Sequence, residues 1–341
     1  MSRSTQATIL ARQKPLGTGL GATTTADDVI GRVSLIGKTA IVTGGYSGIG
    51  LETVRVLRAA GSEVIVPARD VDRAQAALGD IDAPVELMDL LDPVSIDAFT
   101  DRFLASNRPL DILVNSAGIM ALPAVQRDAR GYELQFATNH LGHFQLTTRL
   151  LPALQKAAGA RVVSVSSWGH HLSPVVFDDP NFDRRPYDPW AAYGQSKTAN
   201  VLFALELDER FKDDGLRAFA VHPGAIVGTN LARHVDPEQF RDMGVIDDDG
   251  NPILDPERNL KDVPQGAATQ VWCATSPTLD GLGGVYCENC DVAALQPDGE
   301  ATIRDFGRLT RHDGVLPYAL DINAAQQLWE LSEALVHGGQ A

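Results

Sequence analysis

The chain has 341 residues, an apolar fraction of 44% and a formal net charge of −15, enough apolar content for a sizeable buried core in one large domain or two small ones. The charge argues against nucleic acid and against an anionic membrane surface, and no run approaches about 18 apolar residues, so no membrane-spanning helix is expected. Three cysteines, Cys273, Cys287 and Cys290, are too few for a secreted disulfide scaffold and point to a reducing cytoplasm.

Residues 1–33 read as an N-terminal arm. Arg3, Arg12 and Lys14, with many Ser and Thr and no acid before Asp27, have the composition of a transit peptide. Pro15, Gly17, Gly19 and Gly21 spoil an amphipathic helix, so an arm packed on the body or on a neighbouring subunit is the better reading. Residues 34–341 read as one domain.

From Leu35 onward, short β-branched runs alternate with helical patterns. The expected strands are Thr39–Thr43, Glu63–Pro67, Val85–Asp89, Asp111–Asn115, Arg161–Ser166, Arg217–His222 and Gly284–Cys287. Most are near-continuously apolar, as strands buried on both faces should be. The expected helices are Ile49–Ala60, Val71–Leu78, Val94–Leu104, Tyr132–Ala157, Ala192–Phe211 and Gln265–Ala274. This alternation implies right-handed crossovers and a Rossmann-like, doubly wound α/β fold with a seven-stranded parallel sheet flanked by helices. Residues 234–264 break the rhythm. They are rich in Asp, Pro and Gly and read as a long excursion of the kind that often serves as a substrate lid. Asp247–Gly250 within it lacks calcium-loop spacing and reads as a solvated turn. Residues 300–341 form a tail ending in a helix, Ile322–Val336, with apolar spacing at Leu328, Leu331 and Leu335. Core docking or a subunit contact explains it.

The turn Thr43–Gly50, TGGYSGIG, follows the first strand and opens the first helix. Glycines there let the backbone approach a ligand, and the helix N-terminus offers free N–H groups to a pyrophosphate. An acid about 20 residues further on would bind a ribose 2′-hydroxyl. Ala68 occupies that place and Arg69 follows, a pairing that suits a 2′-phosphate and favours NADP(H) over NAD(H). The adjacent Asp70 keeps NAD(H) open.

Tyr193 and Lys197 lie four apart in a helical stretch, so both share one face. A free Tyr has a pKa of about 10, and a nearby ammonium favours its phenolate. The preceding strand runs into Ser164–His171, which places hydroxyls at the carboxyl edge of the sheet. A serine there can hydrogen-bond a substrate oxygen as charge develops on it. These residue types together suit carbonyl–alcohol interconversion beside a nicotinamide.

Thr43-Gly44-x-x-x-Gly48-x-Gly50, Asn115–Gly118, Asn139, Ser167, Tyr193-x-x-x-Lys197 and His222–Gly224 occur in this order. The set resembles the short-chain dehydrogenases/reductases. Asn139–Phe144, Ala192–Ala204 and Gly266–Pro277 are similar to their retinol-dehydrogenase-like branch. The likeness runs from about Leu35 to Val336.

The resemblance implies a catalytic tetrad of Asn139, Ser167, Tyr193 and Lys197. Tyr193 would be the acid/base, and Lys197 would lower its pKa and hold the nicotinamide ribose. Ser167 would orient the substrate oxygen, and Asn139 would hold a water in a proton relay. Gly44, Ser47, Gly48, Ile49 and Gly50 would contact the cofactor phosphates and ribose, and Arg69 the 2′-phosphate. Asp89 and Leu90 would flank adenine. Asn115, Ala117 and Gly118 would line the cofactor, with Pro223 and Gly224 near the nicotinamide. No metal is implied. The substrate would be a lipophilic carbonyl or alcohol. Dimers and tetramers are common among such proteins, while the arm and tail could cover the usual faces, so a homo-oligomer stays open. Thr229 matches a family position with one extra residue before it, which leaves its role open.

Ser167 and Tyr193 are 26 residues apart. The connection holds Phe177, Phe182, Tyr187 and Trp190, either an apolar rim for the substrate or aromatics that pack the loop down. Cys287-x-x-Cys290 lacks a fourth zinc ligand and follows a strand, so free thiols are expected. His170, His171 and His222 read as packing residues. Two rival functions remain on this fold: a non-catalytic dinucleotide sensor, which would usually lose the Tyr or the Lys, and a C=C reductase or epimerase.

Overall fold

The computed structural model describes residues 3–226, 228–296 and 314–338, with side chains described from Gln6 onward. Residues 300–313 and 339–341 of the expected tail lie outside them.

Seven parallel strands form the expected sheet. They are β1 (Thr39–Thr43), β2 (Glu63–Ala68), β3 (Val85–Leu87), β4 (Ile112–Asn115), β5 (Arg161–Val165), β6 (Arg217–His222) and β7 (Val285–Glu288). An eighth, β8 (Asp291–Val292), pairs antiparallel on β7. The sheet order is β3-β2-β1-β4-β5-β6-β7-β8, so the direction of winding reverses between β1 and β4. The two-residue β8 carries no periodicity that a sequence could reveal. Asn289 and Cys290 make its turn with positive φ.

Helices cover both faces. On one face lie α5 (Pro93–Ala105), α7 (Gly142–Lys156), α8 (Pro189–Phe211) and α11 (Ile322–His337), around Phe99, Phe144, Leu150, Leu202 and Leu328. On the other lie α2 (Ala26–Ile30), α3 (Gly48–Ala59) and α10 (Val263–Thr275), around Val54, Leu57, Val271 and Trp272. The single expected helix Tyr132–Ala157 is broken. A short α6 (Leu134–Phe136) leads into a π-helical turn, Ala137–Leu141, and then α7. The wider turn rotates the residues within it relative to an α-helix, and such bulges recur at functional sites.

The arm packs on the body. A helix, α1 (Arg3–Arg12), precedes the Pro/Gly run, and its Ile9 is buried in the core. Gln13 donates to the Tyr286 and Ala293 carbonyls and accepts from Tyr286 N–H. Asp291 accepts from Leu16, Gly17 and Thr18 N–H groups, so the arm lies across the β7–β8 edge. From the other terminus, Trp329 of α11 packs edge-on against Phe144 at 5.0 Å and stacks on Phe203 at 6.1 Å. The three cysteines are buried free thiols, and burial raises the pKa of Cys287 and of Cys290, the latter to about 11, which disfavours their thiolates.

His140 sits among Phe136, Phe144 and Phe203, with Nε2 at 2.7 Å from Ser332 Oγ. Burial pushes its pKa down to about 3, so the folded protein keeps it neutral. The unfolded chain takes up that proton below about pH 6.5, so stability is full above that value and falls as pH drops toward the folded value. His140→Leu is expected to flatten this loss by about 1.4 kcal/mol per pH unit between about pH 6.5 and 4. Urea unfolding of both proteins across that range checks it; parallel curves would contradict it.

Candidate active site

β1, β4, β5 and β6 end on one side of the sheet, and the loops after them enclose a cavity of about 360 Å³. This is the carboxyl edge at the reversal of winding, where open α/β sheets take ligands.

The glycine turn forms one end. Gly44 has φ +66°, and a Cβ there would meet Ala117 Cα at 3.0 Å, so the turn lies directly on the β4 loop. Ser47 starts α3 but makes no side-chain cap, which leaves the helix N–H groups facing the cavity. Gly44, Ser47, Gly48, Ile49 and Gly50 all line it. Arg69 lines it too, exposed, and forms no ion pair among the described residues. Arg73, one turn into α4 (Val71–Leu78), stands beside it. Asp70 also faces the cavity, but its carboxylate caps α4 by accepting from Arg73 N–H at 3.0 Å. These features fit the phosphates of a dinucleotide.

The other end holds Ser167, Tyr193 and Lys197. Asp188 and Pro189 start α8, with the Asp188 carboxylate accepting from Trp190 and Ala191 N–H groups. The helix is then buried from Ala192 through Asp208. Lys197 Nζ donates to the Val165 carbonyl at 3.0 Å and lies 5.5 Å from the Tyr193 ring centre. A 3₁₀ turn, Trp168–Leu172, presses on the phenol. A Cβ on Gly169 would stand 2.8 Å from Tyr193 Cε1. His222 Nδ1 accepts from Trp168 N–H at 3.1 Å, and His170 Nδ1 is 2.8 Å from the Ser167 carbonyl. Tyr318 from the chain's last segment donates to the His170 carbonyl. The histidines that read as packing residues thus hold the turn that carries Ser167.

The electrostatics differ from the expectation that Lys197 lowers the Tyr193 pKa. Burial dominates, pushing Tyr193 up to about 12 while the Ser167 hydroxyl pulls it back, and pushing Lys197 down to about 8. At neutral pH the phenol is protonated and the ammonium remains mostly charged.

Asn139 lies behind Lys197 in the π turn. Its Nδ2 donates to the Ile119 carbonyl at 3.0 Å and Ser196 Oγ at 2.9 Å, and its Oδ1 accepts from Ile119 N–H at 2.9 Å. Ala117, Gly118, Pro223 and Gly224 line the cavity. Asp89, Leu90 and Asn115 stand off its wall. Asp89 accepts from Leu91 N–H, Leu90 packs in the core, and buried Asn115 donates to Thr147. Of the four loop aromatics only Trp190 lines the cavity. Phe177 packs on the core, and Phe182 and Tyr187 meet edge-on with the Tyr187 hydroxyl donating to the Leu122 carbonyl.

Residues between Thr229 and Val245 cover part of the cavity as its wall. Thr229 approaches Gly48, Asn230 Nδ2 donates to Ser47 Oγ at 3.2 Å, and a short α9 (Pro237–Asp242) follows. Leu231, Phe240, Met243 and Val245 give this cover an apolar inner face. Their spacing in a Pro- and Asp-rich segment carries no period that singles them out.

The family model described as short chain dehydrogenase matches residues 38–239. The chain belongs to the short-chain dehydrogenase/reductase family. It is an oxidoreductase by that membership. It is 46% identical to a probable oxidoreductase of Streptomyces lividans, over 90% of this chain and 100% of that one. It is 38% identical to retinol dehydrogenase 12 of Homo sapiens, over 78% of this chain and 82% of that one. A crystal structure of an uncharacterised protein from Mycobacterium paratuberculosis superposes with a TM-score of 0.66 at 33% identity, covering 90% of this chain and 96% of that one. Among the described residues of this dehydrogenase/reductase, no helix is long and apolar enough to cross a membrane and no side-chain cluster could hold a metal.

Gly169→Ala is expected to displace the Tyr193 ring and reduce turnover by at least about tenfold, the scale of a sub-ångström misplacement of a reacting group. Steady-state rates with circular dichroism as a folding control check it; full activity in a folded variant would contradict it.

Proposed function

We propose that the protein is an NADP(H)-dependent oxidoreductase that interconverts a lipophilic ketone or aldehyde with the corresponding alcohol, with Tyr193 as acid/base. The observation that carries this reading is one cavity with Ser167, Tyr193 and Lys197 at one end and, at the other, a helix N-terminus without a side-chain cap and Arg69, which forms no ion pair among the described residues.

A bound nicotinamide supplies or accepts the hydride. The chain's own residues handle the proton. The Tyr193 phenol, held protonated by burial, donates to the carbonyl oxygen in the reductive direction. Ser167 Oγ, beside the phenol, orients that oxygen. Lys197 keeps a positive charge near the phenolate left behind. One of its N–H groups is spent on Val165, and the others remain for cofactor ribose hydroxyls. The Asn139 amide spends both protons on Ile119 and Ser196, so in a proton relay it can only accept, through its side-chain or backbone oxygen. Gly44, Ser47, Gly48, Ile49 and Gly50 cradle the pyrophosphate, while Ala117, Gly118, Pro223 and Gly224 flank the nicotinamide half.

Arg69, with Arg73 beside it, binds the 2′-phosphate. With Asp70 committed to capping α4, a rival contact to a ribose hydroxyl is weakened. The apolar cover of Leu231, Phe240, Met243 and Val245, with Met120 and Trp190, favours a lipophilic substrate. Relatives named retinol dehydrogenase are in keeping with that class.

The test is a fluorescence titration of wild type and Arg69→Ala with NADPH and NADH, followed by a reductive screen of lipophilic carbonyls. Tighter NADPH binding that weakens about tenfold or more in Arg69→Ala, consistent with loss of a charge-assisted hydrogen bond, is expected. Equal or tighter NADH binding would overturn the cofactor assignment.

A further inference from the structure

Thr43 ends β1 immediately before the glycine turn, and its hydroxyl is a junction. Oγ1 accepts from Ser116 N–H at 2.9 Å and from Ala117 N–H at 3.0 Å. Its own proton must therefore point elsewhere. His143 Nε2 stands 2.9 Å away, whereas the Val114 carbonyl at 3.4 Å is a poor acceptor. Nε2 thus accepts and carries no proton. The ring proton belongs on Nδ1, which lies 3.0 Å from the Asn139 carbonyl, a group that can only accept. Two separate bonds demand the same tautomer.

The ring is fully buried and does not line the cavity. Burial pushes its pKa down to about 4, which keeps it neutral and the tautomer fixed. Both of its partners belong to the reacting apparatus. Thr43 fixes the glycine turn against the β4 loop at Ser116 and Ala117. Asn139 sits in the π turn, and its side chain bonds Ile119 and Ser196, the residue before Lys197. The ring is the solid link between these two parts.

We propose that His143 is a positioning residue with two separable tasks: Nε2 holds Thr43 and the glycine turn for the cofactor, and Nδ1–H holds the Asn139 carbonyl for proton transfer. The second task rests on the function proposed above, whereas the first concerns cofactor binding alone.

The two ring nitrogens can be replaced one at a time. The amide of His143→Asn reaches the place of Nδ1 and can donate to Asn139, but not to Thr43. The amide oxygen of His143→Gln reaches the place of Nε2 and can accept from Thr43, but leaves the Asn139 carbonyl without its donor. NADPH affinity by fluorescence and kcat at saturating NADPH should split accordingly. His143→Asn is expected to weaken NADPH about tenfold with kcat within about twofold, and His143→Gln to do the reverse, each the scale of one buried hydrogen bond. Equal losses in both quantities for both variants, or no change in either, would overturn the proposal.

Should either variant not fold, Thr43→Val keeps the side-chain shape and removes the hydroxyl. It is expected to weaken NADPH about tenfold or more, because Ser116 N–H, Ala117 N–H and His143 Nε2 all lose their shared partner. Unchanged affinity would overturn the proposal. Failure of the functional reading shows separately, as wild type that binds NADPH but turns over no carbonyl, and the affinity arm is then decided by titration alone.

Discussion

An ammonium buried at the carboxyl edge of a sheet constrains everything around it. Removing Lys197 from water is unfavourable by several kcal/mol unless its donors are met. The Val165 carbonyl at the end of β5 meets one of them, and Asn200 donates to that same oxygen at 3.0 Å. Ser166 Oγ donates to the Lys197 carbonyl at 2.8 Å. β5 and α8 are thereby fixed together at the level of the phenol, and the turn bearing Ser167 has one place to go. The same burial acts on both groups, raising the Tyr193 pKa and lowering that of Lys197.

The two chain ends reinforce that arrangement from outside. Gln6 of α1 donates to the Leu320 carbonyl and accepts from Ile322 N–H, which joins the arm to the start of α11. α11 in turn packs on Phe144 and Phe203, on the helices that carry Asn139 and Tyr193. Leu316 N–H and the Tyr318 hydroxyl reach His170 beside Ser167. Segments far from Ser167 in sequence thus hold the turn that bears it in register.

Much of this was legible in the residues because period and spacing encode it. Buried parallel strands announce themselves as apolar runs, and Tyr193 and Lys197 sit one helical turn apart wherever that helix lies. The glycine turn was readable for the same reason, since its glycines are required by backbone shape. Other features depend on partners that spacing does not name. Asp70 beside Arg69 keeps NAD(H) open in the sequence, and spacing does not tell that its carboxylate also caps α4. Phe182 and Tyr187 looked equally able to rim a pocket or pack a loop, and their mutual contact decides it. The π turn leaves no mark in an apolar helical stretch. The sign of the Tyr193 shift reflects how much water burial removes, a property of the whole fold. The start of α8 did carry a signal in Asp188-Pro189, a capping acid before a first-turn proline.

The central claim is that the Tyr193 hydroxyl transfers the proton. Single-turnover reduction of a carbonyl substrate by NADPH-loaded wild type and Tyr193→Phe tests it directly. Loss of the hydroxyl should slow the step by about 10²–10⁴-fold, the range of a positioned general acid, with NADPH affinity unchanged. An undiminished rate in Tyr193→Phe would contradict the claim and move the acid to another group in the cavity.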